Sequence, residues 1–390
     1  MNKNGFFNVP FSDAFPFRSM VLLLCFFFSP QASSFPPPRF PRLRPPVEEL
    51  SAAAFSPDGR YVLAGFNPFV FAGTRHRPEG DMLRLWNVKT GEEVKRFSGH
   101  ANGTTFVGFL PGGAEAISTG MDGIVRIWGI KEGKEFRSFR ASERATYKSA
   151  MSKDGKYLLA YTGDQGKPAK LKLFDLATEK ELATYPFEKS FESLAISANA
   201  KWGVIQCFPF RKKGKSDVDW TGLQIWDLKK KRPLRSYSWT GRFPPFPERQ
   251  WGWPAAVSPD EKFLVARTKH PKNEKIHFGL MDIESGKPVT TFEGPYSKET
   301  FFVGFTANGA KIVSATTLGV FTVMDSRNGE VLLEKDMERP KDSVLHMVVM
   351  SPDSTSLFAA FGWQRQGEDM RLDIWDITTG KKMQTLSPPQ

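Results

Sequence analysis

An all-β fold, a closed ring of seven four-stranded antiparallel sheets, is predicted by two recurring markers and by the order in which they alternate. The first is a turn after an apolar strand: FSPDG at 55–59, LPGG at 110–113, MSKDG at 151–155, ISANA at 196–200, VSPDE at 257–261, FTANG at 305–309 and MSPDS at 350–354. The second closes a later strand: Trp86-Asn87, Trp128-Gly129, Phe174-Asp175, Trp226-Asp227, Met281-Asp282, Met324-Asp325 and Trp375-Asp376. Each occurs seven times in strict alternation, the second at intervals of 42 to 55 residues. Short apolar runs that end in turn residues are the signal for strands. A further turn, such as Lys89-Thr90-Gly91 or Thr378-Thr379-Gly380, then leads into a fourth strand, Glu92 to Phe97 or Lys381 to Leu386.

Taken in order, the chain first shows a segment outside the repeat. Lys3 and Arg18 precede an apolar run from Met20 to Phe28, and small residues follow at Ala32, Ser33 and Ser34. Basic, then apolar, then small is the pattern of a secretory signal, so residues 1–34 are read as a signal peptide and the protein as exported, periplasmic or secreted. A leader that does not function would leave the protein cytoplasmic. The apolar run is too short to span a bilayer, which needs ~20 residues. Residues 35–46 are rich in proline, which locks φ and removes donors, and are read as an extended linker. The repeat then occupies 47–388, in units of roughly 47–98, 99–140, 141–187, 188–239, 240–293, 294–337 and 338–388.

The second unit is the most informative. It runs SGH, TTFVGFL, PGG, AEAISTG and MDGIVRIWG from Ser98 to Gly129, with a tight turn at Asp122-Gly123. This resembles a WD repeat (WD40), the unit that forms one blade of a β-propeller, and the whole resembles an exported bacterial WD-repeat protein. The family's period is about 40–45 residues; the excess here falls in loops. The resemblance implies a buried chain of hydrogen bonds through His100, Ser118, Asp122 and Trp128. His, Ser and Asp also compose a hydrolase triad. Trp128, however, adds an indole donor that a triad does not use, and Ser118 in mid-strand lacks an exposed elbow. The four are therefore read as a structural network that satisfies buried polar groups. Only the second unit has all four; Met or Phe replaces Trp in three others. The first blade opens on its inner strand and the seventh ends on its outer one, so no strand is shared across the seam, unlike the family's usual overlap.

Composition narrows the function. The chain is 40% hydrophobic and 25% charged, ordinary for a folded protein, with a net charge of +12 that favours anionic partners. No specific nucleic-acid motif is present. Of the two cysteines, Cys25 lies in the leader, and Cys207 in WGVIQCF reads as a small buried residue. No calcium loop, HExxH, GxSxG or phosphate loop occurs, so no metal, cofactor or catalytic residue is assigned and the protein is read as not an enzyme.

The resemblance implies that loops joining second and third strands share a face with the links between blades, where the extra length lies. The candidate binding face is Phe71 and Arg75 in blade one; Arg211, Lys212, Lys213 and Trp220 in blade four; Arg242, Phe243, Phe246, Trp251 and Trp253 between blades four and five; and Trp363 and Arg365 in blade seven. Long loops on a rigid scaffold carry binding, and aromatic and Arg side chains dominate contact energies. The expected function is a monomeric, non-catalytic interaction scaffold for a protein or peptide, with no transmembrane helix in the mature chain. The alternatives are a binder of anionic envelope polymers or a propeller enzyme with a site in the central channel. The run Lys229-Lys230-Lys231-Arg232 falls in a turn on the opposite face and reads as solvated.

Overall fold

The computed structural model describes residues 48–68, 83–163, 169–185, 191–197, 199–207, 210–211, 218–219, 221–238, 255–269, 276–292, 300–341, 343–363 and 370–387. The fold is all-β, a seven-bladed propeller of four-stranded antiparallel sheets. Each blade is built from consecutive strands. Blade one, for example, comprises Glu48–Phe55, Tyr61–Pro68, Leu83–Asn87 and Glu93–Phe97, and blade seven Ser343–Met350, Ser356–Trp363, Arg371–Asp376 and Lys382–Leu386. The first strands of successive blades lie against one another and form the inner ring. A two-stranded ribbon, Phe210–Arg211 with Val218–Asp219, extends from blade four between its second and third strands.

Both sequence markers have a physical explanation. In six of the first turns a Ser or Thr hydroxyl donates to the side chain two residues on or accepts the N–H five residues on. Ser56 Oγ, for example, donates to Asp58 Oδ1 (2.6 Å) and accepts from the Tyr61 N–H (2.9 Å). The same arrangement recurs at Ser152, Ser258, Thr306 and Ser351, and Ser197 accepts the Trp202 N–H. Such side-chain bonds imitate a backbone turn. All seven turns then place one residue in the left-handed region: Gly59, Gly113, Gly155, Ala200, Glu261, Gly309 and Ser354.

The second marker works in the same way. Asn87, Asp175, Asp227, Asp282, Asp325 and Asp376 each accept backbone N–H groups of the turn that follows. Here too the fourth residue after the marker is left-handed, as glycine in five blades, Glu179 in blade three and Lys231 in blade four. Blade two has no hydroxyl or carboxylate at either marker and uses Gly112, Gly113 and Gly133.

The left-handed conformation costs a side-chain-bearing residue roughly 1–2 kcal/mol. Three of the exceptions use their side chains to tie neighbouring blades together. Glu179 accepts from Arg137 of blade two (3.1 Å), Glu261 from the Asn199 N–H of blade four (3.0 Å), and Ser354 from the Ala307 N–H of blade six (2.7 Å).

The described core divides into seven apolar clusters, one at each interface between adjacent blades. The seam is among them: Phe66 and Trp86 of blade one pack with Phe358, Leu372 and Leu386 of blade seven. Among the described residues no strand crosses it. Closure also has a polar part. The Ser387 N–H donates to the Gly91 carbonyl (2.7 Å), and Trp86 Nε1 donates to the Ser387 carbonyl (3.2 Å). A Cβ at Gly91 would lie 2.8 Å from the Thr385 carbonyl oxygen, so this turn, unlike those at Glu179 and Lys231, is held to glycine by the close approach as well as favoured by its φ of 75°.

Candidate functional site

The four residues singled out in blade two meet. Trp128 Nε1 donates to Ser118 Oγ (2.8 Å), and Ser118 Oγ lies 2.7 Å from His100 Nε2. His100 Nδ1 lies 3.1 and 3.2 Å from the two Asp122 carboxylate oxygens. Second and third strands, Glu115–Gly120 and Ile124–Gly129, carry Ser118 opposite Arg126 and two residues from Trp128, while the incoming link delivers His100. Burial pushes the His100 imidazole below its ordinary pKa, against the pull of Asp122. Ser118 Oγ, having accepted the indole proton, has its own proton to give to Nε2, while Nδ1 faces both the Asp122 carboxylate and Arg126 Nη1, 2.8 Å away. Burial opposes ionisation of Asp122, but the His100 bond and the Arg126 guanidinium outweigh it and hold the carboxyl well below the usual range.

Sequence reasoning missed two members. Arg126 Nη1 donates to Asp122 Oδ2 (2.8 Å) and Arg126 Nε pairs with Glu135 (2.9 Å). Its signal was its position two before Trp128, on the same face of the strand. Gly120 is the other, since a Cβ there would sit 2.3 Å from His100 Nδ1. The assembly cannot act as a hydrolase in this form: Ser118 is fully buried and His100 is 4% exposed, so no substrate reaches the hydroxyl.

A different set of residues reaches the surface. Among the described residues six inner strands are bulged near their start, each with one extra residue: Ser51, Thr105, Tyr147, Glu192, Phe301 and His346. A bulge re-aims a side chain. These residues lie where the inter-blade links enter the inner ring, on the same end of each blade as the loops that leave the second strands. Ser51, Thr105, Tyr147, Phe301 and His346 are half-buried, and Lys148 beside Tyr147 is exposed. Tyr147 and His346 lie over glycines of their second strands: a Cβ at Gly163 would come within 2.5 Å of Tyr147, and one at Gly362 within 2.5 Å of His346. Thr105 Oγ1, Thr119 Oγ1 and Ser149 Oγ form a hydroxyl chain from blade two to blade three, at 2.9 and 3.1 Å.

Of the candidate binding residues, Arg211 lies in the blade-four ribbon and Trp363 ends the second strand of blade seven. Phe71, Arg75, Lys212, Lys213, Trp220, Arg242, Phe243, Phe246, Trp251, Trp253 and Arg365 lie outside the described residues. Cys207 ends the second strand of blade four. Among the described residues no three His, Cys, Asp or Glu side chains converge as a metal site would require, and no helix is long and apolar enough to cross a membrane.

Residues 91–129, from the last turn of blade one to the end of the third strand of blade two, match the WD domain, G-beta repeat family. That segment contains the whole hydrogen-bonded network. No curated protein matches the chain. Together with the seven-bladed propeller, the match supports the WD40 family, whose propellers commonly bind protein partners and are typically non-enzymatic.

Proposed function

We propose that this protein is a non-catalytic interaction scaffold that holds a protein or peptide on the propeller face formed by the inter-blade links and the second-to-third-strand loops. The observation that carries this reading is the set of bulged inner strands. They collect Ser51, Thr105, Tyr147, Phe301 and His346 at one end of the ring, on seven blades tied together by continuous cores. A rigid ring presenting mixed aromatic and polar side chains beside long loops suits contact with a macromolecule better than enclosure of a small substrate. The loops on that end are rich in aromatic and basic residues, most of all 239–253.

The test is affinity capture from native extract with the parent chain and two variants, one with Arg242, Phe246 and Trp251 replaced by Ala and one with Tyr147 and Phe301 replaced by Ala. Both variants should keep the parent's circular dichroism and lose the captured partner. A partner retained by both would refute the assignment of this face. Capture that resists salt points to a protein contact, whereas capture abolished by moderate salt points to an anionic polymer.

A further inference from the structure

The opposite face of the ring carries a feature that this function does not use. All seven outer strands are bulged at one equivalent position, and the extra residue is apolar in every case: Val94, Phe136, Leu182, Leu234, Val289, Leu332 and Met383. Each stands three residues after the left-handed residue of the preceding turn, so all seven lie at the same height, beside the turns of that face. Leu234 is half-buried; the other six are 45–54% exposed. Single exposed apolar residues are ordinary, but six exposed at equivalent positions around one rim are not scattered. Between blades one and two, Val94 and Phe136 line a groove of about 720 Å³ together with Pro111, Ile130 and Lys131, which shows the bulged side chains and the turns sharing one surface.

A second observation concerns the blade-four turn. Lys229, Lys230, Lys231 and Arg232 are all exposed. Lys231 is left-handed at φ 54°, where five other blades use glycine, and unlike Glu179, Glu261 and Ser354 its side chain makes no inter-blade bond among the described residues. The turn needs only a glycine there, so a fourth cation is kept against both backbone strain and its neighbours' repulsion. Strain that local structure does not require points to function.

We infer that this turn face docks on an anionic lipid surface, with the bulged apolar residues entering the interface and the Lys229–Arg232 run meeting the headgroups. Six exposed side chains at equivalent positions around a ring suit a planar partner, whereas a peptide or a linear polymer cannot reach them together. Basic residues next to apolar ones are the chemistry of a peripheral lipid contact.

The test is co-sedimentation of the full chain with vesicles of phosphatidylcholine alone and with about one third phosphatidylserine, in about 0.1 M and about 1 M salt, between which the Debye length falls from about 10 to about 3 Å. Partition should require the anionic lipid and fall about tenfold or more at high salt. Two variants should each lose about tenfold or more on anionic vesicles while unfolding at the parent's temperature: Lys229→Glu with Lys230→Glu, and Val289→Ser with Leu332→Ser and Met383→Ser. No partition of the parent would overturn the inference. So would full binding by the triple-Ser variant, which would reduce the face to a charge patch for soluble polyanions. The Arg242, Phe246 and Trp251 variant should bind vesicles normally, so lipid docking and partner capture fail or succeed separately.

Discussion

Two tryptophans in the same place on adjacent blades are anchored by opposite means. Trp128 of blade two gives its indole proton to Ser118 within its own blade, and the bond continues through His100 to Asp122 and Arg126. Trp86 of blade one gives its proton across the seam, to the carbonyl of Ser387 beyond the last strand of blade seven. The first network locks one blade's link to its strands. The second locks the two ends of the described ring together, with the Ser387 N–H returning to Gly91. A marker residue therefore specifies where an indole is buried, but not what it holds in place. Trp226 makes the same point: it donates to Gln224 of its own strand (3.0 Å), and Trp375 meets no acceptor among the described residues.

The comparison can be broken most severely at Ser118. Ser118→Ala leaves both the Trp128 indole and His100 Nε2 buried without a partner, and each such group costs about 1–3 kcal/mol. Denaturant unfolding should show a loss of about 2–4 kcal/mol. Acid should weaken the same network. His100 has a folded pKa below its ordinary value, so its contribution is complete above about pH 6.5 and is lost as pH falls. The depressed Asp122 carboxyl acts in the same direction, but only below about pH 3.8. Unfolding midpoints measured from neutral pH downward should fall earlier in the parent than in His100→Gln, which starts lower and stays flatter.

Ser387→Pro removes one hydrogen-bond donor at the seam and should cost about 1 kcal/mol. Hydrogen exchange should then quicken at 83–97 and 382–386 and not in blade two; a uniform increase would contradict a local role. The smallest effects distinguish among the left-handed turns. Ala200→Gly relieves strain but removes a methyl buried in the core between blades three and four, and should change stability by less than about 1 kcal/mol. Glu261→Gly relieves the same strain but gives up the bond to Asn199, and should change stability by less than about 0.5 kcal/mol.

Much of this was legible in the residues. The turn markers contain the very groups that make the turns, so their sevenfold alternation foretold seven sheets and the order of strands. The network of His100, Ser118, Asp122 and Trp128 was legible by resemblance, because its members fall at fixed offsets from those turns. Arg126 and Gly120 were not. A strand residue's pairing depends on its neighbours in space, and a glycine's need appears only when the imidazole beside it has coordinates.

Local chemistry along the chain thus determined the number of blades, the position of every turn and the closing of each strand, since these depend on residues within a few positions of one another. Only the tertiary structure decided how the ring ends meet, why Glu179, Glu261 and Ser354 replace glycine, and that thirteen inner and outer strands bulge at equivalent places among the described residues. Each of those features joins atoms that are distant in sequence. A bulge is a mismatch between two strands, and neither strand carries it alone.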